Sequence, residues 1–347
     1  MPTKPLQKLF ILISVCVSQL VCAQNFKTAD AYLDFIGKEN QKISKSMWNY
    51  TKSVAHSKSA RKIESDRKRL LKSIERAILK IQNAQPYTGE ETYKKQVLEY
   101  MDLYASLLKN EYAKIVDMKE VAEQSYDFME AYILAHKLAD ERMQEAHETY
   151  ANAQKEYAVR NHIQLIDIET ELGKKMKISN AVFDHKNKIY LLFFKSNIQE
   201  RLMLNAVSSG DMSALQQNAS ALQTFAKEGL QALDTISLYK SDTTLIKATH
   251  KAFTFYLEET QQEIPEMIAF FLKNEKFNTI KDAIEKKSRN QRSQKEIDQY
   301  NTMVTEINQA VISFNETNKT LNDKRTQIIH QWNEASAKFL SRHIPKE

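Results

Sequence analysis

Cysteine is absent from the chain beyond residue 22, and glycine and proline number five each among 347 residues. Without thiols, residues 24–347 can hold no disulfide, no zinc–thiolate site, no iron–sulfur cluster and no cysteine nucleophile. Scarce glycine goes with the lack of a phosphate-cradling loop, and neither Gly-x-Ser-x-Gly nor His-Glu-x-x-His occurs. Between Leu6 and Ile344 the only prolines are Pro86 and Pro265, so little stands in the way of long helices. Beyond residue 23 no apolar run approaches the ~20 residues that span a bilayer; Ile189 to Phe194, for example, is bounded by Lys188 and Lys195. What is present is 42% apolar and 27% charged residues at a mean hydropathy of -0.54. That is the composition of a chain that buries a core and faces water.

The first 23 residues read as a secretory signal peptide. Lys4 and Lys8 precede an apolar run from Leu9 to Leu20, and Val21-Cys22-Ala23 before Gln24 supplies the residues that signal peptidase reads. The run is too short to span a bilayer. Val15 and Val21 stand where lipoprotein processing wants a small residue before Cys16 or Cys22. The expected location is therefore the periplasm or the cell surface. The signal takes two lysines with it, which lowers the formal net charge from +6 to +4.

The remainder, 24–347, is expected to be one all-α domain, an elongated antiparallel bundle of about seven helices, several of them 30–48 residues long, with coiled-coil-like packing. Sub-bundles 24–160 and 161–347 remain open within it. A first helical region covers about 28–83, and Gln85-Pro-Tyr-Thr-Gly89 separates it from a second starting near Glu90. Asp117 and Glu120 have capping-box spacing and open a third, to about Arg160. The β-branched stretch Asn161 to Ile168 reads as a loop or short extended segment. Further helices follow over about 169–208, Met212 to Ile236, Thr243 to Lys273 with a kink or restart near Pro265, and Phe277 to Lys287. The last begins near residue 294 and has the clearest pattern. Ile297, Tyr300, Val304, Ile307, Val311, Phe314, Asn318, Leu321, Arg325, Ile328, Trp332, Ala335 and Phe339 alternate at spacings of three and four. A period of 3.5 sustained over six heptads predicts knobs-into-holes packing, with Asn318 and Arg325 as polar interruptions that set register. Such a helix is ~70 Å long, more than the ~50 Å diameter of a compact body of this size.

Three groups of residues could carry function. His136, Asp140 and His147 fall on one helix face and are the nearest thing to a metal site, although no histidine has the Glu three residues before it that a di-metal bundle uses. A half-buried helix face with an ordinary His–acid pair is the favoured explanation, as it is for His330 with Glu334. Arg61, Lys68, Lys72, Arg76 and Lys80 form a basic ridge of ~30 Å, opposite a core stripe of Ile63, Leu70, Ile74, Ala77 and Ile81. Residues 58–82 hold nine basic and three acidic side chains and no Phe, Tyr or Trp on which a base could stack. Nucleic acid is therefore disfavoured, leaving a solvated face or an anionic envelope partner such as lipid headgroups or a surface polymer. The aromatic runs Tyr190 to Phe194 and Ala269 to Leu272 read as core or as the wall of an apolar ligand slot.

The strings Trp48-Asn-Tyr-Thr51, Val54 to Lys62, Tyr112 to Met118, Ala122 to Asp127, Leu191 to Lys195 and Phe339 to Pro345 resemble exported all-helical surface proteins of unknown function from spirochaetes and Bacteroidetes. The resemblance implies a bacterial envelope or surface setting and supplies no reaction, cofactor or catalytic residue. The expectation is a non-enzymatic binding or structural protein of the envelope without cofactor or metal, and the alternative is a carrier of lipid or another apolar ligand in the bundle interior. N-terminal sequencing of protein from the envelope fraction should begin at Gln24; an intact Met1, or a diacylglyceryl group on Cys22, would overturn the cleavage site.

Overall fold

The computed structural model describes residues 26–57, 59–113, 121–166 and 170–346. The expected signal peptide and the Asp117–Glu120 capping box lie outside the described residues. Apart from an isolated bridge between Tyr239 and Asp242, regular structure among the described residues is helical.

The first four helices run up, down, up and down. α1 (Ala29–His56) turns into α2 (Ala60–Asn83), α3 (Glu91–Ser106) continues through a π turn at Leu107–Glu111, and α4 (Tyr126–Arg160) returns. The directions follow from side-chain pairs. Ser53 at the end of α1 donates to Asp66 at the start of α2, and Lys80 at the end of α2 reaches back to Glu39 at 3.0 Å. Tyr93, early in α3, stacks on Tyr157, late in α4, with ring centroids 4.6 Å apart. The core among these helices is rich in tyrosine: Tyr32, Tyr50, Tyr93, Tyr100, Tyr104, Tyr112, Tyr150 and Tyr157 are all buried in it.

The expected single helical region 28–83 is corrected here: it is a hairpin, with one helix ending at His56 and the next starting at Ala60. No Pro or Gly marks the break. Serine makes it, because the Ser59 hydroxyl accepts from Lys62 N and the Ser57 hydroxyl accepts from Ser59 N, a local alternative to continuing the helix. Ser125 likewise caps α4, its hydroxyl accepting from Phe128 N.

The second half is organised along one helix. α5 (Glu171–Ser209) ends at Gly210, whose φ of 70° supplies the left-handed cap. α6 (Met212–Thr235) turns back beside it, and α7 (Thr244–Glu258) passes through a π turn at Glu259–Glu263 into α8 (Ile264–Glu285). The expected separate helix 277–287 is corrected: Asn274-Glu-Lys276 are helical, because polar residues alone do not stop a helix, and α8 runs on to Glu285. Pro265 follows directly on the π turn, whose wider winding accommodates a residue without an N–H inside a continuous helix.

α9 (Gln294–His343) opens with a capping box between Ser293 and Glu296 and at 50 residues is ~75 Å long. It pairs antiparallel with α7 and α8 over their whole length. Arg342 meets Asp242, Trp332 Nε1 donates to Thr249, Arg325 meets Glu259, Phe270 stacks on Phe314 and Lys287 meets Glu296. α5 lies antiparallel on the C-terminal half of α9, where Phe193 stacks on Trp332 at 4.4 Å. Of the thirteen seam positions, twelve are buried or half-buried; Val311 is exposed. It lies in the half of α9 where α8 is the main partner. The molecule is elongated as expected. α9 alone, at 50 residues and ~75 Å, is longer than the ~50 Å diameter of a compact body of this size.

α6 and α7 approach closely because Gly229 has no side chain. A Cβ there would lie 2.5 Å from Cζ of Phe253, a ring with no exposure. Gly229→Ala should therefore destabilise the protein by about 1–3 kcal/mol through overpacking, despite the better helix propensity of alanine. The check is a denaturant midpoint, with Phe253→Leu in the Gly229→Ala background expected to recover part of the loss.

Candidate functional site

The structure places the five residues of the basic ridge along the exposed side of one helix. α2 is amphipathic: Leu70, Ile74, Ala77 and Ile81 are buried and Ile63 half-buried on one side, while Arg61, Lys68, Lys72, Arg76 and Lys80 are all exposed on the other. Two of the five have counter-ions. Lys68 lies 3.4 Å from Glu64, and Lys80 shares Glu39 with Lys42. Arg61, Lys72 and Arg76 form no ion pair with a described residue. Other charges of this stretch are structural instead. Arg67 is buried and donates to Glu64 and to the Leu108 carbonyl, and buried Asp66 accepts from Ser53 and Arg69. Residues 27–80 carry fourteen basic and six acidic side chains, whereas the chain beyond residue 80 is net acidic. Positive charge is thus concentrated on the α1–α2 hairpin.

His136, Asp140 and His147 are all on α4 but do not converge. His136 sits edge-on between the rings of Tyr112 and Tyr132, at 5.7 and 4.9 Å. Partial burial there pushes its pKa down to about 4, so it is neutral at neutral pH. Asp140 accepts from the Tyr112 hydroxyl. His147 is exposed beside Tyr100 and Tyr150, eleven residues and therefore ~16 Å along the helix from His136. Among the described residues no group of three or more His, Cys, Asp or Glu side chains is placed to hold a metal ion. His330 and Glu334 form an exposed pair at 3.5 Å.

The two aromatic runs do not line a common cavity. Phe193 packs on Trp332, and Phe194 joins Ile198, Met129 and Ala122 in a small cluster between α4 and α5. Phe270 stacks on Phe314 beside a cleft of about 230 Å³ between α8 and α9. A larger open groove of about 460 Å³ between α7 and α9 is lined by Phe255 and Ile328 and by the stems of polar residues, among them Lys247, His250, Lys251 and Lys324.

One polar cluster was only partly legible. Arg325, expected as a polar interruption of the α9 seam, is buried and meets Glu259 of the π turn and Glu200 of α5, both also buried. The signal for Glu200 lies in α5, where Ile189, Phe193, Ser196, Glu200 and Met203 are buried at spacings of four and three: a carboxylate in a seam.

Comparison with protein families, curated proteins and solved structures finds no match. The functional reading therefore rests on the chain's own chemistry. Because the candidate ligands are dispersed and the cores are filled by side chains, extensive dialysis against a chelator should leave the melting temperature unchanged. A fall of several degrees that added metal reverses would show a structural metal.

Proposed function

We propose that this is an exported helical binding or structural protein of the bacterial cell envelope or surface, and that the α1–α2 hairpin is the face it turns to an anionic envelope component. The observation that carries the reading is the ridge itself: five exposed cationic side chains along ~28 Å of one straight helix, three of them without a counter-ion among the described residues, on a hairpin that holds the chain's excess of positive charge. Lysine and arginine held this way gain from an anionic surface without first breaking an internal ion pair. Each contributes about 1 kcal/mol near such a surface. The lack of aromatic residues between 58 and 82 argues against single-stranded nucleic acid, which binds by stacking as well as by charge. Export rests on Lys4, Lys8, the apolar run and Val21-Cys22-Ala23. No helix among the described residues is long and apolar enough to cross a membrane, so attachment through the ridge would be peripheral.

The carrier reading has less support. A carrier of a lipid-sized ligand needs an apolar cavity of roughly 300 Å³ or more, and the cleft beside Phe270 and Phe314 is about 230 Å³.

The test replaces Arg61, Lys68, Lys72, Arg76 and Lys80 together by Gln and compares co-sedimentation with anionic and with neutral vesicles. The wild type should bind anionic vesicles at low salt and weaken as the Debye length falls to ~8 Å at physiological ionic strength. The five-fold variant should lose the binding while melting within a few degrees of wild type, because exposed charges contribute little to stability. Equal, weak sedimentation of both proteins at low salt would reduce the ridge to a solvated face.

A further inference from the structure

Where α5, α7, the π turn and α9 meet, one guanidinium faces two carboxyl groups in the interior. Glu200, Glu259 and Arg325 are 4%, 1% and 6% exposed. Arg325 Nε donates to Glu259 Oε1 at 2.8 Å, Nη2 donates to the same oxygen, and Nη1 donates to Asn322 Oδ1 at 2.7 Å. Glu200 Oε1 lies 3.4 Å from Arg325 Nε, near enough for an ion pair but without a hydrogen bond. Glu259 Oε2, on the far side of its carboxyl group, has no partner either. Both carboxyl groups thus bear on the same guanidinium nitrogen, and each leaves a buried oxygen unpartnered. One turn before Glu200, fully buried Ser196 also has an unpartnered hydroxyl.

The charges do not balance. Two ionised carboxylates and one guanidinium leave a net negative charge in the interior, which costs several kcal/mol when uncompensated. The other groups facing the pair offer no second cation. α7 contributes the buried Tyr256, whose hydroxyl also interacts with Glu200 and Asn197 and whose pKa burial holds far up, so it stays neutral. The π turn ends in Glu263, another acid. α6 packs on the π turn but has no titratable side chain from Met212 to Ala226.

We propose that Glu200 and Glu259 form a proton-binding site: folding takes up one proton from water, which is held between the two carboxyl groups and latches α5 to the π turn and to α9. As a hydroxyl on one carboxyl group donating to the other, that proton supplies the missing hydrogen bond and cancels the excess charge. A carboxyl pair sharing a proton titrates as a unit. The π turn is part of the device, since a local π turn inside an α-helix re-aims a side chain that regular winding would place elsewhere.

The sign of the pH dependence follows. Burial first, then the neighbouring carboxylate, raises Glu200 against the opposing pull of Arg325; burial also raises Glu259. Stability contributed by a raised carboxyl group is complete below its unfolded pKa and is lost as pH rises through the folded value. The latch should therefore loosen on the alkaline side. His56, His136 and His185, lowered chiefly by burial, contribute stability that is instead lost as pH falls, so the readout is a difference between two proteins.

Glu200→Gln puts an amide where the protonated acid would donate, and it cannot titrate. Melting is followed for wild type and E200Q from about pH 5 to about pH 9. Between the unfolded and folded pKa values the ratio of their folding constants should move in favour of E200Q by about tenfold per pH unit. Independently, the wild type at neutral pH should show the infrared carbonyl band of a protonated carboxylic acid, and E200Q should not. That band tests the wild type even if the variant fails to fold. Parallel pH profiles, or a wild-type spectrum without a protonated carboxyl at neutral pH, would overturn the site.

Discussion

Much of the second half depends on covering the seam of a single 50-residue helix. α9 is longer than any other helix described, and its apolar positions recur every 3.5 residues from Ile297 to Phe339. A seam of that length needs an antiparallel partner of matching length. α7 and α8 supply it as a nearly continuous rod from Thr244 to Glu285, interrupted by the π turn and not by a loop. α5 covers the C-terminal half a second time, through Phe193 on Trp332 and His185 beside Phe339. The N-terminal half of α9 has α8 as its main cover, which is why Phe270, Phe271 and Phe314 are only half-buried there. Position along α9 thus separates a thick part of the molecule from a two-helix arm.

That constraint explains why Arg325 occurs where an apolar side chain would pack. An apolar 3.5-residue seam reads almost the same after a shift of one heptad, so aliphatic packing alone specifies register weakly. A guanidinium that can be satisfied only opposite Glu259 and Glu200 makes other registers costly, because each would bury an unpaired charge. At the outer end of the same pairing, Asp242 accepts from Arg342 and His343. These donors, with the Thr244 hydroxyl and backbone N–H, hold its carboxyl far below the usual range despite the cost of burial. The two ionic sites are seventeen residues apart on α9, or ~25 Å, and together fix both sliding and rotation of the rod.

What could be read in the sequence was whatever a helical period expresses. The α9 seam, the opposed faces of α2 and the end of α5 at Ser208-Ser-Gly-Asp211 all belong to one helix at a time, and all are present in the structure. The break between α1 and α2 has no distinct signature in the sequence, because serine hydroxyls make it and serine is equally at home on an exposed helix face. The continuity of α8 is hidden for the converse reason: Asn274-Glu-Lys276 looks like a polar connector but costs a helix little. Glu200 and Glu259 each lie in a seam of their own helix, yet only tertiary packing brings both to Arg325. For the histidines on α4 the shared helix face is legible in the sequence, but eleven residues put ~16 Å between His136 and His147 along the axis.

The two electrostatic features of the molecule obey opposite physics. On α2 the charges are exposed and separated by one or two turns, so water and salt weaken their fields and their effect on folding is small. The proposed partner, a dense anionic surface, would act on them only within a Debye length. At Glu200, Glu259 and Arg325 solvent is nearly excluded, salt screens little, and a single unit of charge decides whether the junction of three helices is comfortable. Ionic strength therefore acts on the ridge far more than on the buried cluster, and alkaline pH acts on the proposed contact of α5 with α9. The two faces of the α1–α2 hairpin keep these influences apart. Its outer side carries the ridge, while its inner side packs on α3 and α4 through the first core and places Trp48 and Ala55 in the second. A partner bound at the ridge would thus load α1 and the junction between the two cores, not the buried carboxyl pair.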